Sequence, residues 1–195
     1  GVRLCHRCRL ETFAASEGGI TAELIHLDTG DRERVKARFL AACDGANSAI
    51  RRALGIKLVG SEVLSRPVHM FFRIADLFGK LGLRPGTFYL AMDRNGLWAN
   101  VRVIDPVAGL WRLMVLDSPA DLDANSIDRD AYLRRALGRD VEVEWGGVSV
   151  WTRRGVVAER YSEGPVHLLG DAVHQLSPTG ALGMNTGIAD AVDLR

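Results

Sequence analysis

The sequence predicts a mixed α/β (α+β) fold into which an antiparallel β-sheet is inserted. Residues 1–60 and 156–195 each contain a short apolar run that stops at an aspartate beside a glycine, followed by a helical segment. This order is typical of strand-to-helix junctions in an α/β sheet. Residues 61–155 instead contain strand-like runs separated by turn dipeptides, which indicates a β-meander. We therefore expect the two ends of the chain to form one domain and the middle to form another.

Composition excludes several classes of protein. Hydrophobic residues make up 47% of the 195 residues, enough for a buried core. The net charge is +1, from 25 basic and 24 acidic residues, so the basic excess of a nucleic-acid-binding protein is missing. The apolar runs are far shorter than the ~20 residues of a membrane-spanning helix. We expect no nucleic-acid partner, no membrane span and a cytoplasmic location, while the oligomeric state stays unknown.

The three cysteines predict neither a disulfide framework nor a metal site. Cys5 and Cys8 form a C-x-x-C pair, but a structural zinc needs four ligands and no second pair is present. Cys43 lies in an apolar run and is expected to be a small core residue.

Hydrophobic periodicity places the individual elements. In the first segment we expect strands over residues 2–13, 20–27 and 35–43, the last fully buried, and a helix over 47–54. In the rest of the chain we expect strands over 68–74, 87–92, 97–104, 110–116, 148–151 and 166–169, and helices over 126–137 and 188–194. Asn95-Gly96 is the strongest of the hairpin signals.

Two junctions place an aspartate after an apolar strand, Asp44-Gly45 and Gly170-Asp171. In α/β sheets, ligands bind outside the carboxyl ends of the strands. An aspartate there can accept hydrogen bonds from ribose or ribityl hydroxyls, and the glycine allows close approach of the backbone. The two junctions would meet if the β-rich segment between them is an excursion from one sheet.

The second junction is followed by a glycine-containing loop, residues 178–187, that leads into the last helix. A helix N-terminus offers unpaired N–H groups and a partial positive charge, which suits an anion such as the pyrimidine edge of a reduced flavin. Each feature alone has a purely structural explanation. A lone Asp-Gly is usually a turn, and a glycine-rich loop before a helix is often a cap.

Three runs together resemble the flavin-binding motifs of FAD-dependent aromatic hydroxylases, the family that includes phenol, hydroxybenzoate and aromatic polyketide hydroxylases. They are residues 43–56 (CDGANSAIRRALGI), 164–174 (GPVHLLGDAVH) and 178–191 (PTGALGMNTGIADA). The resemblance implies a p-hydroxybenzoate hydroxylase-like fold. In that fold a three-layer FAD/NAD(P)-binding domain carries an inserted antiparallel substrate-binding sheet.

The resemblance also implies a cofactor, FAD, and a reaction. A small aromatic substrate would be hydroxylated with NAD(P)H and O₂ through a flavin hydroperoxide. Asp171 is then expected at the ribityl chain, and Asp44 and Arg51 near the pyrophosphate and the path of NAD(P)H. Alternatively, Arg51 only forms a structural ion pair with Asp44. The full set of expected cofactor-binding residues is Asp44, Gly45, Arg51, Gly170, Asp171, Pro178, Gly180, Gly183, Met184 and Asn185.

The chain departs from the family pattern beside the expected flavin ring. Ser177 stands where a proline is usual before Pro178, and Ala181 follows Gly180 where a second glycine is usual. Pro165 replaces a common arginine or lysine. The Gly-x-Gly-x-x-Gly motif that holds the FAD pyrophosphate is missing, and we expect it upstream of residue 1.

No catalytic side chain is assigned from the sequence. His69, His167 and His174 are conceivable bases, with His174 the more plausible as a positioning or packing residue. Aromatic residues of the middle segment could line a substrate pocket or simply face the core: Phe71, Phe72, Phe88, Tyr89, Trp98 and Trp111.

Two other functions stay open. One is another flavoprotein of the same architecture, such as a prenyl reductase or a halogenase. The other is a flavin-free binding or regulatory module.

Overall fold

The computed structural model describes residues 1–194. They form two compact units, one made of residues 1–61 and 155 onward and the other of residues 62–154. None of the helices in this range is long and apolar enough to cross a lipid bilayer.

Within residues 1–194 the two units contain fourteen strands and four α-helices. The strands are β1 (Cys8–Ser16), β2 (Gly19–His26), β3 (Arg32–Ala37), β4 (Leu40–Ala42), β5 (Leu58–Ser65), β6 (Val68–Arg73), β7 (Phe88–Asp93), β8 (Gly96–Asp105), β9 (Leu110–Val115), β10 (Glu144–Val150), β11 (Arg153–Ala158), β12 (Ser162–Glu163), β13 (Val166–Leu168) and β14 (His174–Gln175). The helices are α1 (Ala49–Ala53), α2 (Leu77–Leu81), α3 (Arg129–Leu137) and α4 (Gly183–Asp193).

In its described part, the first unit contains three small sheets. β1, β2 and β3 form an antiparallel meander, β14 and β5 flank β11, and β13 lies between β12 and β4. β13 runs parallel to β4, as expected for a crossover connection in an α/β sheet. The core of this unit includes Ile20, Ile50, Val166 and Leu168.

The buried strand expected over residues 35–43 is wrong. The structure has two strands there, since Ala37 pairs with Ile20 in the meander and Leu40 pairs with Val166 in the parallel sheet. The chain changes sheets between them, which leaves Phe39 exposed. Cys43 lies beyond the end of β4 and is also exposed, so its predicted burial is wrong as well. The place where the chain changes sheet depends on its pairing partners β2 and β13, which the apolar run by itself does not reveal.

The second unit is built on a five-stranded antiparallel sheet in the order β10-β6-β9-β8-β7. One face carries the core, in which Met70, Phe72 and Leu113 are fully buried and Leu133 of α3 joins them. The predicted hairpin is confirmed, since β7 and β8 pair antiparallel across the turn that contains Asn95-Gly96. The other face of this sheet carries the residues that alternate with the core positions.

Candidate functional site

The two acidic junctions lie at the same edge of one sheet. Ala42 of β4 pairs with Leu168 of β13, and the Leu169 N–H donates to the Ala42 carbonyl at 3.0 Å. Asp44 and Asp171 follow directly after these parallel strands. Because the carboxyl ends of parallel neighbours meet at one edge, the structure brings the two sequence-predicted junctions together.

At the first junction, Asp44 has a structural role. Its Oδ2 accepts a hydrogen bond from the Ile50 N–H at 3.1 Å, and the Ser48 hydroxyl accepts one from the Arg51 N–H at 2.9 Å. Both bonds satisfy N–H groups at the start of α1 that have no partner within the helix. Gly45 has φ +80°, in the left-handed region that favours glycine.

At the second junction the carboxylate is turned outward. Gly170 has φ +56° and begins a 3₁₀ turn that continues through Ala172. The Asp171 side chain is exposed, and within residues 1–194 it accepts no hydrogen bond and forms no ion pair. It is therefore available to a ligand at this edge.

Arg51 joins the two junctions. Its side chain is buried, and Nη1 donates to the Ala172 carbonyl at 2.8 Å. The guanidinium also donates to the Ala46 carbonyl at 3.3 Å, and Gln175 Nε2 donates to the same oxygen at 3.0 Å. The Arg51–Ala172 and Gln175–Ala46 bonds link residues that are more than a hundred positions apart in the chain. The guanidinium thus fixes the relative position of the two loops.

Asp190 of α4 also forms hydrogen bonds with the second junction. Its Oδ2 accepts the Gly170 N–H at 2.8 Å and lies 2.8 Å from His174 Nε2. The side chain of His174 is only 3% exposed and that of Asp190 12%. A bond between such buried groups is stronger than one in water. This arrangement agrees with the positioning role expected of His174.

The Asp190 contact was not predicted from the sequence, although a signal for it is present. Gly187 and Asp190 are three residues apart and share one face of α4. A Cβ at Gly187 would lie 3.4 Å from the Gly170 Cα, so the helix packs closely on the turn. A glycine and an acid on one helix face after a Gly-Asp junction could have indicated the contact.

The same carboxylate affects a neighbouring phenol. Burial raises the pKa of the Tyr161 hydroxyl, and the Asp190 charge raises it further. The Tyr161 and His174 rings lie 6.4 Å apart, centroid to centroid. Tyr161 therefore stays protonated at neutral pH beside the Asp190–His174 contact.

The last helix begins earlier than predicted. The sequence placed the loop as far as residue 187, but α4 starts at Gly183. A Pro178–Gly180 3₁₀ turn precedes it, and Ala181 adopts φ +53°, a conformation that costs a non-glycine residue about 1–2 kcal/mol. The glycines lowered the predicted helix propensity, whereas close packing on the Gly-Asp turn favours helix in the structure.

The early start makes Gly183, Met184 and Asn185 the first helical turn. Leu182 precedes it without a side-chain cap, so the first N–H groups of α4 have no capping side chain. Met184 is 76% exposed. This helix end can therefore donate hydrogen bonds to the polar edge of a ligand and also contact an apolar ring.

In the second unit, the aromatic residues that could line a substrate pocket are divided between the two faces of the five-stranded sheet. Phe72 and Trp111 are buried in the core, and Tyr89 and Trp98 pack against it. Phe71 and Phe88 alternate with core positions and lie on the opposite face of the sheet, together with three further candidates for ligand contact, His69, Arg102 and Arg112.

His69 accepts a hydrogen bond from Trp151. The Trp151 Nε1–H points to His69 Nε2 at 3.1 Å, which requires the neutral imidazole with its proton on Nδ1. Burial lowers the pKa of His69, and the Arg112 charge lowers it further. The third histidine candidate, His167, instead packs against the Phe39 ring at 5.8 Å in the first unit.

The chain belongs to the FAD binding domain family, whose profile matches residues 1–195. It is 35% identical over 190 residues to the FAD-dependent monooxygenase apdD of Emericella nidulans, covering 90% of this chain and 30% of that protein. The structure of native and K252c-bound RebC-10x matches with a TM-score of 0.79 at 37% identity, covering 100% of this chain and 38% of that one. The ternary complex of aklavinone-11 hydroxylase with FAD and aklavinone matches with a TM-score of 0.77 at 26% identity, covering 96% and 36%.

These matches confirm the family resemblance and the p-hydroxybenzoate hydroxylase-like mixed α/β fold that it implied. The chain spans about a third of the length of the curated relatives it matches.

The residues at the sheet edge fit FAD in three respects. The Asp171 carboxylate is exposed and can accept hydrogen bonds from ribityl hydroxyls. Gly170 is in the left-handed region and has no side chain in the way of a ligand. The N-terminus of α4 offers N–H donors to the pyrimidine edge of the flavin.

Proposed function

We propose that this chain is part of a cytoplasmic FAD-dependent monooxygenase that hydroxylates a phenolic or polyketide aromatic substrate with NAD(P)H and O₂. The observation that carries the proposal is the pairing of β4 with β13, which places Asp44 and Asp171 at one sheet edge. Family membership and relatives named as monooxygenases support the same reaction class.

Asp171 and Gly170 bind the ribityl chain and the adjoining pyrophosphate in this proposal. Asp44, Gly45 and Arg51 form the pyrophosphate side of the site, with Asp44 and Arg51 beside the path of NAD(P)H. The structural bonds of Arg51 are compatible with this role, because they hold the Asp-Gly loop in place at the same edge. The isoalloxazine is contacted by the turn and first helical residues Pro178, Gly180, Gly183, Met184 and Asn185.

When bound, FAD supplies hydride acceptance from NAD(P)H and activation of O₂. The protein's part is to bind, orient and exclude water. The N–H groups at the start of α4 stabilise negative charge on the pyrimidine edge, since they are oriented before any charge develops. The exposed apolar side chains of Leu182, Met184 and Ile188 are suited to cover the ring and keep water from it.

The β-rich segment, residues 61–155, is assigned to substrate binding, and residues 1–60 and 156–195 to the FAD-binding domain. The separation of the second unit into a core face and a face with Phe71, Phe88 and His69 supports this division, since ligand sites combine apolar walls with a few polar groups.

The experiment uses the full-length protein. Absorbance should show bound flavin, and phenols or polyketide aromatics should stimulate NAD(P)H oxidation and yield a product that carries one oxygen atom from ¹⁸O₂. A purified protein without flavin bands would favour the flavin-free module instead. NAD(P)H oxidation coupled to reduction of an alkene, or to halogenation of the substrate, without oxygen incorporation into the product would also contradict the proposal.

A further inference from the structure

Three polar side chains of the meander β1-β2-β3 contact one another in a row that includes none of the candidate flavin-binding residues. Cys8 of β1 pairs directly with His26 of β2, and Cys8 Sγ lies 3.1 Å from His26 Nδ1. On its other side the ring contacts β3, since His26 Nε2 lies 3.3 Å from Glu33 Oε2. Glu33 is paired with Leu24, so it reaches His26 along a diagonal of the same face. A thiol, an imidazole and a carboxylate therefore form one cluster across three strands.

The order of these three groups suits removal of the thiol proton. With a proton on Nε2, the His26 ring donates to Glu33, and Nδ1 accepts from the Cys8 S–H. The other carboxylate oxygen, Glu33 Oε1, lies 3.5 Å from Arg3 Nη1, which helps to hold it in place. A nucleophile beside a base that is oriented by a third group is the arrangement that activates cysteine in enzymes.

A second thiol lies on the same segment. Cys5 precedes Cys8 by three residues, and His6 and Arg7 form a turn between them, with Arg7 at φ +54°. The Cα atoms at the ends of a four-residue turn lie within about 7 Å of each other, which overlaps the separation that a disulfide spans. Cys5 is exposed and Cys8 is half-buried, and both are free thiols. A small oxidant can therefore reach this pair.

We propose that Cys8 is a peroxide-reactive thiol, activated by His26 and Glu33, and that Cys5 converts its oxidised form into a disulfide. The oxidant is hydrogen peroxide. This modification site goes beyond the proposed function and does not depend on it, because it uses none of the residues assigned to FAD. A reversible disulfide of this kind is typical of redox-sensing cysteine pairs in reducing compartments.

The chemistry has two steps. In the first, the Cys8 sulfur attacks one oxygen of hydrogen peroxide, an S–O bond forms and the O–O bond breaks. His26 accepts the thiol proton and returns it to the departing hydroxide as water, which leaves Cys8 as a sulfenic acid. In the second, the Cys5 sulfur attacks the Cys8 sulfur, an S–S bond forms and the S–O bond breaks. The Cys5 proton leaves with the hydroxide, so two thiols are oxidised and one peroxide is reduced to two waters.

The test treats the reduced full-length protein with hydrogen peroxide at neutral pH and follows each cysteine by mass spectrometry. The parent should form the Cys5–Cys8 disulfide. Cys5→Ser should instead accumulate a sulfenic acid at Cys8, which dimedone traps. His26→Gln should slow oxidation of Cys8 at least about tenfold, because no base accepts the thiol proton. If His26 only packed against the thiol, the same substitution would expose Cys8 and leave its oxidation as fast or faster.

His6→Gln is the matched control, because His6 is exposed in the turn between the two cysteines, and it should keep the parent rate. Glu33→Gln retains a hydrogen-bond partner for the ring but removes its charge, so its rate should fall between those of the parent and His26→Gln. In urea, where the cluster is unfolded, the parent and His26→Gln should react equally fast. A Cys8 that is oxidised at the parent rate in both His26→Gln and Glu33→Gln would overturn the proposal, as would a Cys8→Ser protein in which Cys5 is oxidised just as fast.

Discussion

At the scale of single residues, the neighbours of His69 determine its protonation state. It donates nothing from Nε2, because this atom accepts the Trp151 N–H, and the nearby Arg112 charge disfavours protonation. Burial acts in the same direction. Nε2 is the only unprotonated ring nitrogen of the neutral imidazole and is already occupied by Trp151, so the contacts favour a packing or orienting role for His69 over that of a base.

NMR titration of the histidine ring protons tests this environment. We expect His69 to titrate below its ordinary value of 6.5, and Arg112→Gln to move its pKa upward because the opposing charge is removed. Arg94→Gln, in the exposed turn, is the matched control and should leave the pKa unchanged. A His69 pKa at or above 6.5, or one that ignores Arg112→Gln, would be inconsistent with the structure.

The lowered pKa of His69 also determines how its contribution to protein stability changes with pH. A pKa that is lower in the folded than in the unfolded protein means that protonation favours unfolding. The contribution of His69 to stability is therefore fully present above about pH 6.5 and decreases as the pH falls toward the folded-state pKa.

At the scale of elements, the contact between α4 and the Gly-Asp turn determines where the candidate flavin site forms. Asp190 bonds to both Gly170 and His174, and Gly187 lets the helix approach the turn. The three contacts fix the start of α4 against the edge that carries Asp171. A rigid helix end is a better hydrogen-bond donor to a bound ring than a mobile one.

Asp190→Ala should loosen this contact. It removes a buried carboxylate that accepts two bonds, so we expect a loss of about 2–3 kcal/mol in the free energy of unfolding. Denaturant unfolding measures the loss, and flavin content of the full-length protein should fall with it. Asp193→Ala, exposed on the same helix, is the control and should stay within about 0.5 kcal/mol of the parent. Equal free energies of unfolding for the two variants would show that the bonds of Asp190 to Gly170 and His174 do not stabilise the fold.

Local chemistry made some elements predictable from the sequence. Gly96 closes the tight β7–β8 turn with a φ of +102°, a conformation that favours glycine, and the acidic junctions stand at the ends of apolar strands. The start of α4 at Gly183 and the change of sheet near Phe39 were not predicted, because both depend on packing between segments distant in sequence. Likewise, the residues around Arg51 gave no sign that its guanidinium would bond to the carbonyl of Ala172.

At the scale of the whole molecule, the β-rich unit interrupts the unit that carries both acidic junctions. Residues 62–154 fold on their own core, and the chain then returns so that β13 pairs with β4. The insertion therefore does not prevent the two ends of the chain from completing one sheet edge. This organisation explains how motifs more than a hundred residues apart can lie together at a single candidate cofactor site.

The central claim is that this edge binds FAD, and Asp171 tests it most directly because its exposed carboxylate has no role in the fold within the described residues. The measurement is flavin absorbance per protein in full-length Asp171→Ala, beside the parent and the exposed control Asp121→Ala. We predict that the parent and the control retain FAD, while Asp171→Ala loses most of it with an unchanged melting temperature of the flavin-free protein. Full flavin content in Asp171→Ala would contradict the account.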